Sequence, residues 1–142
     1  MNSAETLIST LELAPHPEGG WYRETWRSGV TDANGRPSGT AILFLLCAQE
    51  RSHWHRVDAD EIWHFHAGAP LNMRLSPDKA GPAREHVLGP DPGAGQTPQL
   101  VVPANHWQSA ESTGDWTLVG CTVSPGFLFE GFELAPPDFT IG

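Results

Sequence analysis

The chain has 142 residues, of which 39% are hydrophobic and 18% are charged, so it is long and apolar enough to fold as one globular domain. Its formal net charge of −9 disfavours binding to nucleic acid or to an anionic membrane surface, because both need a basic face. No apolar run could span a bilayer, and no basic-then-apolar signal segment opens the chain, so we expect a soluble, cytoplasmic protein.

The first predicted element is a short helix over residues 4–13. Leu7, Ile8 and Leu11 share one face at helical spacing, and Ser3 can cap the first turn. We predict that this helix lies against a barrel formed by residues 20–135.

A run rich in aromatic residues follows Gly19-Gly20 and predicts a strand. Its two faces carry Tyr22, Glu24 and Trp26 on one side and Trp21, Arg23 and Thr25 on the other. A strand of mixed aromatic and charged residues suits the wall of a ligand cavity or a subunit interface. An edge strand with cross-strand pairs is the alternative.

The rest of the chain predicts further short strands separated by turns. Residues 40–47 are almost continuously apolar and predict a central strand buried on both faces. Fifteen glycines and thirteen prolines fall between such runs, which is typical of an all-β sandwich or barrel. Further strands are predicted at 71–75, 85–88, 99–102 and 116–123, and an aromatic tail of Phe127, Phe129 and Phe132 is predicted to pack on the barrel or to form a dimer seam. Cys47 and Cys121 lie in apolar runs, as buried free thiols do.

Four of the seven histidines lie between residues 53 and 66, in two His-x-His pairs separated by an acidic segment. On adjacent strands, each pair would place two imidazoles on one face. Register decides which side chains face inward. Since Trp63 and Phe65 are apolar, we predict that they face the interior together with Glu61, and that His64 and His66 point outward.

The same stretch is similar to the first sequence motif of the cupins, small double-sheet β-barrels of the jelly-roll type. That motif is roughly Gly, five residues, His-x-His, three or four residues, Glu, six residues, Gly. This chain has His53-Trp54-His55, five residues, Glu61, six residues and Gly68. The second cupin motif, roughly Pro-x-Gly, two residues, His, is matched in part by Pro103-Ala104-Asn105-His106.

A narrower resemblance covers nearly the whole chain. It is to one branch of the cupins, a family of small, functionally uncharacterised proteins related in fold to dTDP-sugar epimerases. It is carried by four segments: His16-Pro17-Glu18-Gly19-Gly20-Trp21-Tyr22-Arg23-Glu24, Asp60 to Phe65, Val102-Pro103-Ala104 with Trp107-Gln108, and Leu118 to Phe127. The resemblance implies a double-stranded β-helix (jelly-roll) barrel and a homodimer, but no particular reaction, since this fold hosts many functions.

The first of three functional hypotheses is a metal site. By resemblance to the cupin set of three histidines and one glutamate, its ligands are His53, His55, Glu61 and His106. Imidazole and carboxylate ligands suit divalent Fe, Mn, Ni or Zn. Alternatively, these histidines are surface or hydrogen-bonded residues of the barrel.

The second hypothesis is metal-free acid–base catalysis on a small polar metabolite such as a sugar derivative, as the kinship with epimerases implies. A histidine–carboxylate pair can remove a proton next to a carbonyl while a tyrosine returns one from the other side. The candidate catalytic residues are Tyr22, His55 and Glu61. Arg23 and Arg56 are candidates for neutralising a phosphate or carboxylate.

The third hypothesis is a binding module without chemistry, because tryptophans offer flat apolar surface for stacking. In every case the predicted partner is a small molecule in a polar cavity. We predict that this cavity is walled by Tyr22, His55, Glu61, Trp63 and Trp107. The candidate ligand-binding residues are Arg23, Glu24, Arg56, Trp63 and Trp107.

Overall fold

The structure is a computed structural model that describes residues 3–142, and it consists mainly of two antiparallel β-sheets. The elements are helix α1 (Ala4–Thr10) and strands β1 (Ala14–Pro15), β2 (Trp21–Arg27), β3 (Thr40–Cys47), β4 (Arg51–Val57), β5 (Asp60–Gly68), β6 (Leu71–Ser76), β7 (Arg84–Leu88), β8 (Gln99–Val102), β9 (Trp107–Ser112), β10 (Trp116–Ser124) and β11 (Phe132–Leu134). The predicted all-β jelly-roll with one short N-terminal helix is confirmed. Within residues 3–142, no helix has the length and hydropathy needed to cross a membrane.

The strands divide between a six-stranded sheet, in the order β1-β2-β3-β10-β5-β8, and a five-stranded sheet, in the order β11-β4-β9-β6-β7. Strands β4 and β5 follow each other in the chain but belong to different sheets. The expectation that the two histidine-bearing strands are neighbours in one sheet is therefore wrong. Because the sheets face each other across the interior, the inward side chains of β4 and β5 still meet there.

Helix α1 begins where the sequence predicts and ends earlier. The Ser3 hydroxyl accepts a hydrogen bond from the backbone N–H of Thr6, and the last helical residue is Thr10 instead of the predicted residue 13. Glu12 has a positive φ of 56°, which turns the chain away from the helix axis. Leu7 packs with Leu45 of β3, so the helix covers the outer face of the six-stranded sheet as predicted.

Strand β3 has the predicted bounds and is buried on both faces. Phe44 and Leu46 belong to the main core cluster between the sheets, whereas Leu45 belongs to the cluster beneath α1. This double burial explains why the segment is almost continuously apolar instead of alternating.

The register of β5 is also as predicted. Glu61 and Trp63 are buried, while His66 on the opposite face is exposed. Phe65 packs against the main core cluster, and His64 bonds through Nε2 to Thr122 Oγ1 at 3.0 Å on the outer side.

Strand β9 has no counterpart among the predicted strands. Its sequence, Trp-Gln-Ser-Ala-Glu-Ser, has only one large apolar residue, so it lacks the alternation that identifies a half-buried strand. It nevertheless pairs with both β4 and β6 at the centre of the five-stranded sheet. Its position matters because it brings Gln108 into the interior.

The interior is solid in one half and open in the other. Phe44, Leu46, Trp63, Met73 and Leu88 are almost fully buried and fill one half as part of the main cluster. Between the sheets at the other end lies a cavity lined by polar and aromatic side chains.

Candidate functional site

The cavity has a volume of about 440 Å³, within the ordinary range for small-molecule sites. Its lining combines carboxyl groups, imidazoles, one guanidinium and aromatic rings, contributed by Glu18, Glu24, Glu61 and Glu130, by His16 and His55, by Arg27, and by Tyr22, Phe127 and Phe129. These side chains come from both sheets and from the loops that close the barrel end.

A β-bulge in β4 turns His55 into the cavity. Ser52 pairs with Ala110 and His55 pairs with Gln108, so three steps along β4 match two steps along β9. The extra residue changes the inward–outward alternation, and Ser52 and His55 both face inward. Trp54 is then buried on the other side of the sheet, in a cluster with Trp107 and the C-terminal segment.

The hydrogen bonds of His55 fix its tautomer. Its Nδ1 lies 2.7 Å from the carbonyl oxygen of His53, and a carbonyl can only accept, so Nδ1 carries the proton and donates it. In the neutral ring, Nε2 is therefore an unprotonated acceptor, and it lies 3.5 Å from Oε1 of Glu18. Burial lowers the pKa of His55, which keeps the ring neutral although Glu61 opposes the shift.

Glu18 reaches the cavity from the loop that precedes β2. Gly19 and Gly20 have positive φ angles of 109° and 77°, and a Cβ on Gly19 would overlap the carbonyl oxygen of Arg51. The loop therefore lies directly against β4, where the backbone N–H of His53 donates to the carbonyl of Glu18 at 2.8 Å. The hydroxyl of Ser52 donates to the Glu18 carboxyl. Burial raises the pKa of Glu18 to about 8.

Glu61 lies at the end of a buried chain of hydrogen bonds. Gln108 donates its Nε2 to Glu61 Oε1 at 2.8 Å, and Trp63 donates its Nε1 to Gln108 Oε1 at 2.9 Å. Both bonds orient the Gln108 amide, whose own orientation then fixes the carboxyl group. Burial raises the pKa of Glu61 to about 7, although nearby His55 counteracts part of this shift.

His16 and Tyr22 form the aromatic side of the cavity. Their ring centroids are 4.5 Å apart in an edge-to-face arrangement. The backbone N–H of Glu18 donates to His16 Nδ1 at 3.1 Å, so the neutral ring carries its proton on Nε2. Burial lowers the pKa of His16 to about 4, and His55 acts in the same direction.

The candidate catalytic residues Tyr22, His55 and Glu61 all line the cavity, as does Glu24. Tyr22 belongs to the six-stranded sheet and His55 to the five-stranded sheet, so they face the cavity from opposite sides. His55 belongs to a His-x-His pair, Glu61 has the predicted inward orientation on β5, and Tyr22 is the only tyrosine of the sequence.

The two arginines proposed as anion ligands lie outside the cavity. Arg23 is on the other face of β2, where its guanidinium lies 3.3 Å from the carboxylate of Glu12. Arg56 is paired with Glu133 at 2.7 Å. Arg23 follows Tyr22 and Arg56 follows His55 in the sequence. Because side chains alternate along a strand, each arginine points to the face opposite its cavity neighbour.

The predicted roles of the two tryptophans as cavity walls are also wrong. Trp107 lies beneath the C-terminal segment, packed with Trp54, Ala135 and Ile141, and the guanidinium carbon of Arg56 lies 5.0 Å from its ring centroid. Trp63 faces the interior but is almost fully buried in the solid half of the core. It reaches the site only through Gln108.

The four predicted metal ligands do not converge. His55 and Glu61 line the cavity, but the β4 bulge separates His53 from His55, and His53 Nε2 bonds to the carbonyl of Pro136 at 2.8 Å. His106 lies in the turn between β8 and β9, and the interior position on β9 is taken by Gln108. Among residues 3–142, no three His, Cys, Asp or Glu side chains are arranged to hold a metal ion. The residues present thus do not fit the cupin set of three histidines and one glutamate.

His16, Glu18 and Gln108 are site residues that were not among the candidates. His16 and Glu18 belong to the His-Pro-Glu-Gly-Gly segment, whose two glycines already indicated a special backbone conformation. A turn-forming glycine pair directly after a histidine and a glutamate was the available signal. Gln108 carried none, because its strand was not recognisable.

Comparisons with known proteins agree with this architecture. The family described as "Cupin superfamily (DUF985)" matches residues 5–135. The crystal structure of protein SO0799 from Shewanella oneidensis is 42% identical, with a TM-score of 0.90, and the match covers 95% of this chain and 85% of that one. A hypothetical protein from Leishmania major is 34% identical with a TM-score of 0.83, covering 94% and 88% of the two chains. The uncharacterized protein YML079W of Saccharomyces cerevisiae is 27% identical over 149 residues, which are 91% of this chain and 73% of the yeast protein.

Proposed function

The chain belongs to the DUF985 family of the cupin superfamily, and from that premise we propose that its cavity binds a small polar metabolite and moves a proton on it. The observation that carries the proposal is the meeting of Glu18, His55 and Glu61 in one cavity of about 440 Å³. Buried carboxyl and imidazole groups without a structural counter-charge are characteristic of functional sites.

His55 is the base in this proposal. Its Nδ1–H is held by the carbonyl of His53, which leaves the lone pair of Nε2 directed at the Glu18 side of the cavity. A neutral imidazole in this tautomer can accept a proton from a carbon next to a carbonyl group. The resulting imidazolium favours the ionised form of Glu61, and this carboxylate stabilises it in turn.

Tyr22 is the acid that returns a proton. Because it faces His55 from the opposite sheet, a substrate between them would lose a proton on one side and gain one on the other. The C–H bond breaks towards His55, an enolate forms, and the hydroxyl of Tyr22 protonates the carbon from the other face. These two proton transfers invert a stereocentre next to a carbonyl, which is an epimerisation.

Solvent exchange tests this proposal. Pools of keto-sugars and related carbonyl metabolites are incubated with the protein in D₂O, and deuterium incorporation is measured by mass spectrometry. We expect incorporation into at least one compound and a loss of about 10²-fold or more in His55→Gln. His106→Gln is the matched control, because it removes a histidine outside the cavity. No incorporation in any pool, or equal rates in wild type and His55→Gln, would contradict proton transfer.

Binding without chemistry is the second candidate function. It is favoured by one observation: the carboxyls of Glu18 and Glu61 already accept hydrogen bonds from Ser52 and Gln108. A metabolite that binds in the cavity without deuterium exchange would support this function over catalysis.

A further inference from the structure

We infer that the cavity is selective for polar ligands without negative charge, an inference that rests on the proposed role of the cavity as a metabolite site. It would accept neutral or amino-substituted sugars and polyols, and reject sugar phosphates, nucleotide sugars and carboxylates. The balance of charged groups that face the cavity favours this selectivity.

Carboxyl groups outnumber cations in the lining. Glu18, Glu24, Glu61 and Glu130 face the cavity, and Arg27 is the one arginine or lysine among the lining residues. Arg27 is not free, because its Nε and Nη2 each donate to a carboxylate oxygen of Glu24 at 2.9 Å. Such a bidentate pair uses the geometry with which arginine would otherwise bind a phosphate or carboxylate.

The two innermost carboxyls have only neutral partners. Glu18 accepts from the Ser52 hydroxyl and Glu61 from the Gln108 amide. An anion placed beside them would be desolvated without a counter-charge in a medium of low dielectric constant, and it would be repelled whenever either carboxyl is ionised. A hydroxyl or amino group can instead donate to these oxygens or to Nε2 of His55.

One unpaired polar atom of the lining, Nε2 of His16, suits the same class of ligand. The side chain of His16 is 5% exposed, and its Nδ1 already accepts from the backbone of Glu18. Its Nε2–H has no acceptor among the hydrogen bonds of residues 3–142. A neutral N–H donor of this kind can bind a hydroxyl or carbonyl oxygen of a ligand, but it supplies no positive charge to balance an anion.

Ligand-observed NMR with a library of small polar metabolites, sorted by net charge at pH 7.5, tests the inference. The library includes matched sets on one skeleton: glucose, glucosamine, glucuronate and glucose 6-phosphate, with the galactose and mannose equivalents. Binding in the cavity is identified by its loss in Val123→Trp, which fills the cavity wall. We expect cavity binders among the neutral or cationic compounds, with the anionic member of the same set weaker by at least about tenfold.

A pair of variants tests the cause of the selectivity. Glu24→Gln releases Arg27 at the cavity, whereas Glu133→Gln releases Arg56 outside it. Discrimination against the anionic member should shrink in Glu24→Gln and stay unchanged in Glu133→Gln. Equal discrimination in wild type and Glu24→Gln would overturn the role assigned to the Glu24–Arg27 pair.

The outcomes separate this inference from the proposed function. Anions that bind the wild-type cavity as tightly as their neutral counterparts would overturn the charge selectivity and leave the metabolite site standing. Absence of cavity-dependent binding in every charge class would overturn the proposed function, and the selectivity with it.

Discussion

At the scale of single residues, burial shifts the pKa values of the ionisable side chains in the cavity. The carboxyl of Glu18 faces the imidazoles of His16 and His55 at 3.5 Å each, yet burial raises its pKa to about 8 and lowers both imidazole pKa values. Near neutral pH the proton therefore stays mainly on the acid, and Nε2 of His55 remains an unprotonated acceptor.

This distribution predicts how stability depends on pH. Glu18 has a pKa of about 8 in the folded protein against 4.5 for an unperturbed glutamate. The folded state therefore binds this proton more tightly, and the resulting stabilisation, complete below pH 4.5, is lost as pH rises through 8. Glutamine has no proton to lose, so the stability of Glu18→Gln relative to wild type should rise between pH 5 and 9, by at most ~1.4 kcal/mol per pH unit.

Urea unfolding at a series of pH values measures this difference, and Glu133→Gln, which removes an exposed carboxyl, serves as the control. A constant difference between wild type and Glu18→Gln across the range would show that Glu18 is not a buried acid.

A second prediction at this scale concerns Gln108. Gln108→Leu leaves the buried Nε1–H of Trp63 without its acceptor and Glu61 without its donor. We expect a loss of about 1–3 kcal/mol in the free energy of unfolding. Gln99→Leu, which changes an exposed amide bonded to His64 at 3.3 Å, should cost less than ~0.5 kcal/mol. Similar losses in the two variants would refute the role of the buried chain.

The sequence was sufficient for the residues whose side-chain direction follows simple alternation. The period of two along β5 predicts that Glu61 faces the cavity, because Trp63 and Phe65 share its face. Trp107 belongs to a strand that the pattern of apolar residues does not reveal. Arg23 has the charge that an anion site needs, but it lies on the face of β2 opposite Tyr22. Ser52, which donates to the Glu18 carboxyl, lies 34 residues further along the chain, so this contact becomes visible only in three dimensions.

At the scale of elements, the decisive feature is the bulge in β4 together with the glycine loop that packs against it. The bulge brings Ser52 and His55 to the same side, and the loop brings Glu18 to both of them. The apolar runs of the sequence predict the bounds of β3 and β8 correctly. A bulge has no comparable signature in the pattern of apolar residues, so the expectation that His53 and His55 share a face was wrong.

The loop predicts a clear effect of adding one methyl group. In Gly19→Ala, the new Cβ would overlap the carbonyl oxygen of Arg51 and the residue would keep a φ of 109°. We expect a loss of more than ~3 kcal/mol in unfolding free energy. In Gly35→Ala, φ is 84° but no heavy atom lies within 4 Å of the Cβ, so only backbone strain of about 1 kcal/mol is expected. Equal losses measured by urea unfolding would show that the loop does not pack tightly on β4.

At the scale of the whole molecule, the barrel divides its interior between a hydrophobic core and a polar cavity. The solid half stabilises the fold, which allows the open half to bury ionisable groups that cost stability. Composition and turn spacing predicted the barrel, but not how its interior is divided.

The homodimer implied by the resemblance stays a prediction for the whole molecule. Exposed apolar side chains such as Trp26, Val101 and Phe129 are available for subunit contacts. Light scattering coupled to size-exclusion chromatography should give about twice the chain mass of 15.4 kDa; a mass equal to that of one chain would contradict the dimer.

The central claim is that Glu18 and Glu61 are buried acids with pKa values near neutral pH, beside the acceptor nitrogen of His55. It is tested most directly by NMR titration of protein labelled with ¹³C at the glutamate carboxyls, with Glu18→Gln and Glu61→Gln used for assignment. We predict apparent pKa values of about 8 for Glu18 and about 7 for Glu61, well above the value of about 4.3 for a glutamate side chain in a model peptide. Titration of Glu18 and Glu61 at the model-peptide value would contradict the claim.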